Sequence, residues 1–178
     1  MRLKDKAIII TGGTSGIGAA IATAAIREGA KVLVHGINEE EGRATVERLG
    51  ANADLCIADL NEDSAPEAIV KAALKAFGKI DGVVNNAAIF GGTNISDQEI
   101  EHFRRMVQIN LTAPLFLIKA AFEELKKTGG CVLNIGSINA HAGESKLLAY
   151  SISKGGMQTM TRNLANANGV HGVRINQI

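Results

Sequence analysis

The chain has 178 residues, 46% of them apolar and 21% charged, with a formal net charge of +1; that is enough for one domain with a core of its own and short for two. Acidic and basic residues are interspersed, which leaves no basic stripe for nucleic acid and no polybasic patch for a membrane. No apolar run reaches bilayer length and no cleavage-site pattern follows the first residues, so neither a spanning segment nor a signal peptide is expected.

A strand-like run at 7–10 leads through a glycine-rich turn into a helical period at 17–28. Strands at 31–34 and 53–57 then alternate with helices at 39–49 and 66–77. The pattern continues with a strand at 82–85, a long helix at 97–127, a strand at 131–135, a helix at 148–166 and a strand at 173–178. Such alternation predicts βαβ units, hence a single α/β domain over 1–178: a doubly wound parallel sheet of about six strands with helices on both faces. Gly29, Gly50, Gly78, Gly129 and Gly169 each follow a helical period where a left-handed residue is wanted, and Asp97 and either Asp63 or Ser64 are placed to cap helix starts. Cys56 and Cys131 lie in separate strand-like runs, which predicts reduced core thiols in a cytoplasmic protein. The four histidines, His35, His102, His141 and His171, are scattered, as loop or helix-end residues rather than metal ligands.

The turn Thr11-Gly12-Gly13-Thr14-Ser15-Gly16-Ile17-Gly18 joins the first strand to the first helix. Glycines there let backbone N–H groups approach a pyrophosphate, and the helix N-terminus adds partial positive charge. Asp59 follows the third strand and Asn85-Asn86-Ala87-Ala88 the fourth, at the ends where doubly wound sheets bind ligands. An aspartate there can accept from an adenine amino group, and small residues after Asn86 leave room for a ribose. Taken singly, Asp59 serves equally well as a helix cap and the asparagines as turn formers.

Tyr150, the chain's single tyrosine, stands four residues before Lys154 in a helix-compatible segment, so the two share a face. Unit charges about 4 Å apart at an effective dielectric of about 20 interact by roughly 4 kcal/mol, about three pKa units. A phenol so placed becomes a proton donor and acceptor near neutrality. Pro114 lies four residues after Asn110, and lacking an N–H it leaves the Asn110 carbonyl free for a water, or else simply kinks the helix.

With these pieces in one order, the chain resembles the short-chain dehydrogenase/reductase family in its ordinary-length form, from the first strand to the last residue. The resemblance rests on T-G-x-x-x-G-x-G at Thr11 to Gly18; N-N-A-G at Asn85 to Ala88, with Ala88 in place of glycine; Asn110; Ser137; and Tyr150 with Lys154. It implies a Rossmann-like fold and NAD(P)-dependent hydride transfer between a ketone and a secondary alcohol. Ser137 would hydrogen-bond the substrate oxygen, Tyr150 would exchange its proton, Lys154 would hold the nicotinamide ribose, and Asn110 would pass protons through a water. The implied cofactor-binding set is Gly12, Thr14, Ser15, Gly16, Ile17, Gly18, Asp59, Leu60, Asn86, Ala87, Tyr150 and Lys154, with no metal.

The second strand ends His35-Gly36-Ile37, without the acidic residue of NAD-preferring relatives or the basic residue of NADP-preferring ones. With no carboxylate to repel a 2′-phosphate, NADP is favoured over NAD, and Arg43 is a distant source of positive charge. Relatives continue for roughly seventy residues beyond this point, in keeping with such domains of about 200–250. The expectation is a C-terminally truncated member: a nearly complete cofactor half-site, an open substrate side without the last strand and lid, and an exposed sixth strand. Outward apolar residues Leu115, Phe116, Met157 and Met160 suggest a homo-oligomer paired through helices, unless they face the sheet. Asn139, His141 and Glu144 are the polar candidates near a substrate. They fit a polyol or sugar-derived ketone slightly better than a steroid, a 3-oxoacyl thioester about as well, and a plain solvated loop best. The competing function is a non-catalytic dinucleotide-binding or scaffold module.

Overall fold

The computed structural model describes residues 1–92 and 94–178. Strands β1 (Ala7–Ile10), β2 (Lys31–Gly36), β3 (Ala53–Ile57), β4 (Gly82–Asn85), β5 (Cys131–Asn134) and β6 (Arg174–Gln177) form one parallel sheet in the order β3-β2-β1-β4-β5-β6. The six helices are α1 (Gly16–Arg27), α2 (Glu39–Leu49), α3 (Ala65–Phe77), α4 (Ile100–Val107), α5 (Ala113–Thr128) and α6 (Leu148–Asn168). Strand order reverses between β1 and β4, so the two crossovers diverge there and open a crevice above the strands' C-terminal ends.

Period-two alternation divides the strand residues between two apolar layers. Ile9, Leu33, Val83, Val132 and Ile175 pack with Ile69 and Val70 of α3 and with Leu117, Ile118 and Leu125 of α5. Ile10, Val32, Val34 and Val84 pack on the other face against Ala22 and Ala25 of α1. Fully burying each large apolar side chain is worth about 1.5–3 kcal/mol, so these two layers supply the main drive for folding. At the opposite end of the sheet from the crevice, Asp81 is 6% exposed and accepts from Lys6 Nζ at 2.8 Å and Ala7 N–H at 2.9 Å, with Lys79 Nζ also at 2.9 Å.

Several elements depart from the sequence expectation. The helix over 97–127 is two helices joined by a π-helical stretch, Gln108–Thr112, where the Ala113 N–H bonds to the Gln108 carbonyl five residues back. Pro114 follows directly; its missing N–H and bulky ring disfavour regular hydrogen bonding just before it, so the ladder widens by one residue. Asp97 caps nothing: it lies in a 3₁₀ turn, Ile95–Asp97, and α4 begins after Glu99. Ser64 occupies the start of α3 without a side-chain cap bond, and Asp63 instead accepts from Gln108 Nε2 at 3.2 Å.

Gly169 is right-handed, φ −57°, and opens a 3₁₀ turn that ends at left-handed Gly172. β2 runs on to Gly36 because β3 supplies partners that far. His35 is therefore neither a loop nor a helix-end residue but a strand residue, 1% exposed. Met157 is fully buried and Met160 packs against the core, so only Leu115 and Phe116 of the four apolar candidates are exposed.

Candidate active site at the strand ends

The turn after β1 is shaped by contacts that only glycine permits at two points. Gly12 has φ +61°, and a Cβ there would stand 2.9 Å from Ala87 Cα; at Gly18 a Cβ would meet the Gly12 carbonyl at 2.0 Å. Thr11 braces the turn from beneath, its Oγ1 accepting from the Asn86 and Ala87 N–H groups at 3.0 Å each. Asn86 reciprocates, its Nδ2 donating to the Thr11 and Gly12 carbonyls at 2.9 and 3.1 Å. Ser15 precedes α1 in extended conformation without capping it, and among the described residues the N–H groups of Gly16, Ile17 and Gly18 have no hydrogen-bond partner. Three unpaired donors at a helix N-terminus, reached over glycines, fit a diphosphate.

A cavity of about 310 Å³ opens beside this turn, lined by Gly12, Thr14, Ser15, Asp59, Leu60, Asn86 and Ala87 from the expected set and also by His35, Gly36, Ile37, Ile89, Arg105 and Ile109. Gly16, Ile17 and Gly18 form the adjoining helical turn rather than the wall. Asp59 accepts from Asn61 N–H at 2.9 Å, a local turn that holds one carboxylate oxygen. Arg43 is bound to Glu39 on the exposed face of α2 and does not line the cavity, whose one basic side chain among the described residues is Arg105.

Lys154 is 2% exposed and its Nζ donates to the Ile135 carbonyl at 2.6 Å, beyond the end of β5. Burial lowers its pKa from 10.5 to about 8. The same ammonium lies 5.8 Å from the centroid of the Tyr150 ring, which also meets Phe90 edge-on at 5.0 Å. Helical spacing thus brings tyrosine and lysine together as the sequence predicts.

Asn110, fully buried in the π-helical stretch, clamps the segment after β4. Its Oδ1 accepts from Ile89 N–H at 2.8 Å and its Nδ2 donates to the Ile89 carbonyl at 3.0 Å. Nδ2 also reaches Ser153 Oγ at 3.2 Å, and Ser153 Oγ donates to the Tyr150 carbonyl at 2.7 Å.

Ser137 stands apart. Its Oγ accepts from Asn139 N–H at 3.1 Å and contacts Asn139 Oδ1 at 3.3 Å, capping a 3₁₀ turn at Ile138–Ala140. It lines a separate cavity of about 580 Å³ along β6 with His141, Gln158 and Arg162. His141 bonds Gln158 Nε2 at 2.7 Å, while Glu144 is exposed.

His35 and Ser153 are the participants that sequence reasoning missed. A histidine at the crevice end of an otherwise apolar strand was a usable signal, since a buried polar group must find partners. Ser153 carried none, because a lone serine in a helix is usually solvated.

A profile of the short chain dehydrogenase family matches residues 6–178. The chain belongs to that family. An uncharacterized oxidoreductase of Thermotoga maritima is 36% identical over 182 residues, an alignment spanning 100% of this chain and 72% of the relative. The L-fucose dehydrogenase of Mus musculus is 34% identical, spanning 99% of this chain and 65% of the enzyme. Among solved structures, a blue fluorescent protein from a metagenomic library in complex with NADPH superposes with a TM-score of 0.94 at 32% identity, over 99% of this chain and 74% of that one.

Proposed function

We propose that the chain catalyses, or carries most of the machinery for, NADP- or NAD-dependent hydride transfer between a secondary alcohol and a ketone, with Tyr150 as the proton-exchanging group. The observation that carries this is the Lys154 ammonium, buried against the Ile135 carbonyl and under the Tyr150 ring. A bound nicotinamide supplies or accepts the hydride. The turn amides at Gly16, Ile17 and Gly18 hold the diphosphate, Asp59 and Leu60 flank the adenine end, and Asn86 and Ala87 leave space for a ribose. Lys154 places positive charge where the phenol oxygen gains negative charge on giving up its proton. Ser137 takes the substrate oxygen after releasing Asn139, and Asn110 fixes the Ile89 segment while its carbonyl, which Pro114 cannot engage, is free for a water.

NADP is favoured over NAD because Gly36 and Ile37 bring no carboxylate to the cavity. A polyol or sugar-derived ketone is the preferred substrate class, supported by the polar Asn139 and His141 region and by a relative named for L-fucose. A homo-oligomer through α5 accounts for exposed Leu115 and Phe116.

The test is a screen of sugars, polyols and ketones with NADPH and NADH, using wild type and Tyr150→Phe. Turnover that survives Tyr150→Phe refutes the proton role. A second reading, a dinucleotide-binding module without turnover, draws on Ser137 being engaged by Asn139 and lining another cavity; cofactor binding with no turnover across the screen would favour it.

A further inference from the structure

The first two glycines of the turn do not offer their amides to a ligand. Gly13 N–H donates to the His35 carbonyl at 2.9 Å, and Gly12 N–H points at the His35 ring, 3.4 Å from Nδ1. The other ring nitrogen, Nε2, lies 2.9 Å from the Ala58 carbonyl. A carbonyl can only accept, so Nε2 carries the proton; an amide can only donate, so Nδ1 does not. The partners therefore select the neutral Nε2–H tautomer of a ring that is 1% exposed.

We propose that His35 is a positioning residue for the dinucleotide: its imidazole turns the Gly12 amide inward while its backbone carbonyl holds the Gly13 amide, leaving those from Gly16 to Gly18 as the anion donors. Through Ala58 it also fixes the segment that presents Asp59 and Leu60 to the adenine end. This rests on the dinucleotide reading of the crevice given above. A second proton would put an N–H at Nδ1 against the Gly12 N–H, two donors face to face, and push the turn off its brace.

The charges around the ring are few. The Asp59 carboxylate follows β3, and Arg105 of α4 lines the same cavity. The turn itself carries no titratable group. Glu67, Lys71 and Lys75 of α3 are exposed, and α2 with Glu39–Glu41 packs on the opposite face of β2 through Val46 and Leu49. Burial lowers the imidazole pKa below 6.5, with the Ala58 bond and the Asp59 charge acting the other way. The neutral brace therefore persists through neutral pH and weakens below it.

The experiment measures NADH affinity by fluorescence from pH 8 to pH 5 for wild type, His35→Asn and His35→Gln; NADH avoids the 2′-phosphate, which itself titrates near 6. Asparagine keeps an acceptor near Nδ1, whereas glutamine keeps a donor near Nε2 and loses that acceptor. Wild type should bind more weakly toward the acid end of that range, the loss setting in below 6.5 because burial lowers the imidazole pKa. His35→Asn, which keeps the acceptor for Gly12 but gives up the donor to Ala58, should lose that decline and bind between wild type and His35→Gln at pH 8, and His35→Gln should bind about tenfold more weakly at every pH, as one amide left without its partner implies. In parallel, ¹⁵N NMR of the wild-type ring should show a protonated Nε2 and a bare Nδ1 at pH 7. A protonated Nδ1 at pH 7, or NADH affinity that is flat with pH and equal in all three proteins, would overturn the role while leaving the dinucleotide site standing. Failure of wild type to bind either NADH or NADPH would overturn both.

Discussion

Lys154→Met separates the lysine's service to the reaction from its effect on the fold. Lowering the ammonium's pKa from 10.5 to about 8 corresponds, at about 1.4 kcal/mol per factor of ten, to roughly 3 kcal/mol. Because the folded value is the depressed one, the unfolded chain binds the extra proton between pH 8 and 10.5. Stability therefore rises with pH across that window, is complete above 10.5, and is lost as pH falls through 8. At pH 7 the folded protein bears the whole cost of a buried charge, offset in part by the hydrogen bond to Ile135.

Methionine keeps the unbranched apolar stem, removes the charge and leaves that carbonyl without its donor, a loss of about 1–3 kcal/mol. The variant should then equal the wild type at pH 7 or exceed it by up to about 2 kcal/mol. At pH 10.5 the order reverses, the wild type being more stable by about 1–3 kcal/mol, since a neutral amine still donates. Urea titrations followed by far-ultraviolet circular dichroism at half-unit steps from pH 6.5 to 10.5 give the two curves. Both proteins should carry Tyr150→Phe, so that residue 154 is the one ionisable difference followed at this site. Parallel curves, or a variant several kcal/mol weaker at pH 7, would refute the claim that the ammonium is held at a cost.

Other consequences can be checked separately. In wild type, kcat/KM should fall as pH rises through 8, where Lys154 loses its proton, and a rate profile of any substrate found in the screen reads this directly. Gly18→Ala places a methyl 2.0 Å from the Gly12 carbonyl, so it should cost about 3 kcal/mol or more of stability by thermal melting and abolish nucleotide binding. Ser153→Ala removes the link between Asn110 and the Tyr150 carbonyl; about 1–2 kcal/mol of stability should be lost in urea, with a larger fall in kcat than in nucleotide affinity. Burial works against ionising Asp81, but bonds from Lys6, the Ala7 amide and Lys79 outweigh it and hold the carboxyl below its usual 3.8. Asp81→Asn should accordingly cost about 2 kcal/mol at pH 7, a difference that is whole above 3.8 and closes below it, as first the unfolded chain and then the folded wild-type group takes up a proton, measurable by denaturation from pH 7 down to pH 2.

Where local chemistry alone decides an element, the sequence suffices. β1 ends where its run of isoleucines ends, α2 starts after Asn38 because that side chain caps the Glu41 amide, and Tyr150 meets Lys154 because four residues make about one turn. What stayed hidden depends on partners distant in the chain. The partners of Asn110, Ile89 and Ser153, stand 21 and 43 positions away, and the extra strand residues of β2 exist only because β3 lies alongside. The facing of Met157 is left open by period alone and is decided by packing: with Ala149, Ser153 and Thr161 it forms the buried stripe of α6. Ser137 was legible as a position but not as a state, since nothing in its neighbours announces the bond to Asn139.

The segment from Asn86 to Ile89 is where the two halves of the crevice meet. At one end Asn86 is bonded both ways to the glycine turn, through Thr11 Oγ1 and through its own amide. Three residues later Ile89 is clamped on both backbone groups by Asn110, which continues through Ser153 to the backbone of Tyr150. Short side chains fill the space between, with Ala87 against the turn. A displacement of the turn therefore has a hydrogen-bonded route to the helix that carries the tyrosine, and no link in it depends on a flexible surface side chain. Contiguity is not coupling, so the discriminating measurement is a double-mutant cycle between His35→Gln and Ser153→Ala on nucleotide affinity. Since no contact joins residues 35 and 153 directly, additive losses would mean the two halves respond independently, whereas an interaction above about 0.5 kcal/mol would mean the segment transmits strain from one to the other.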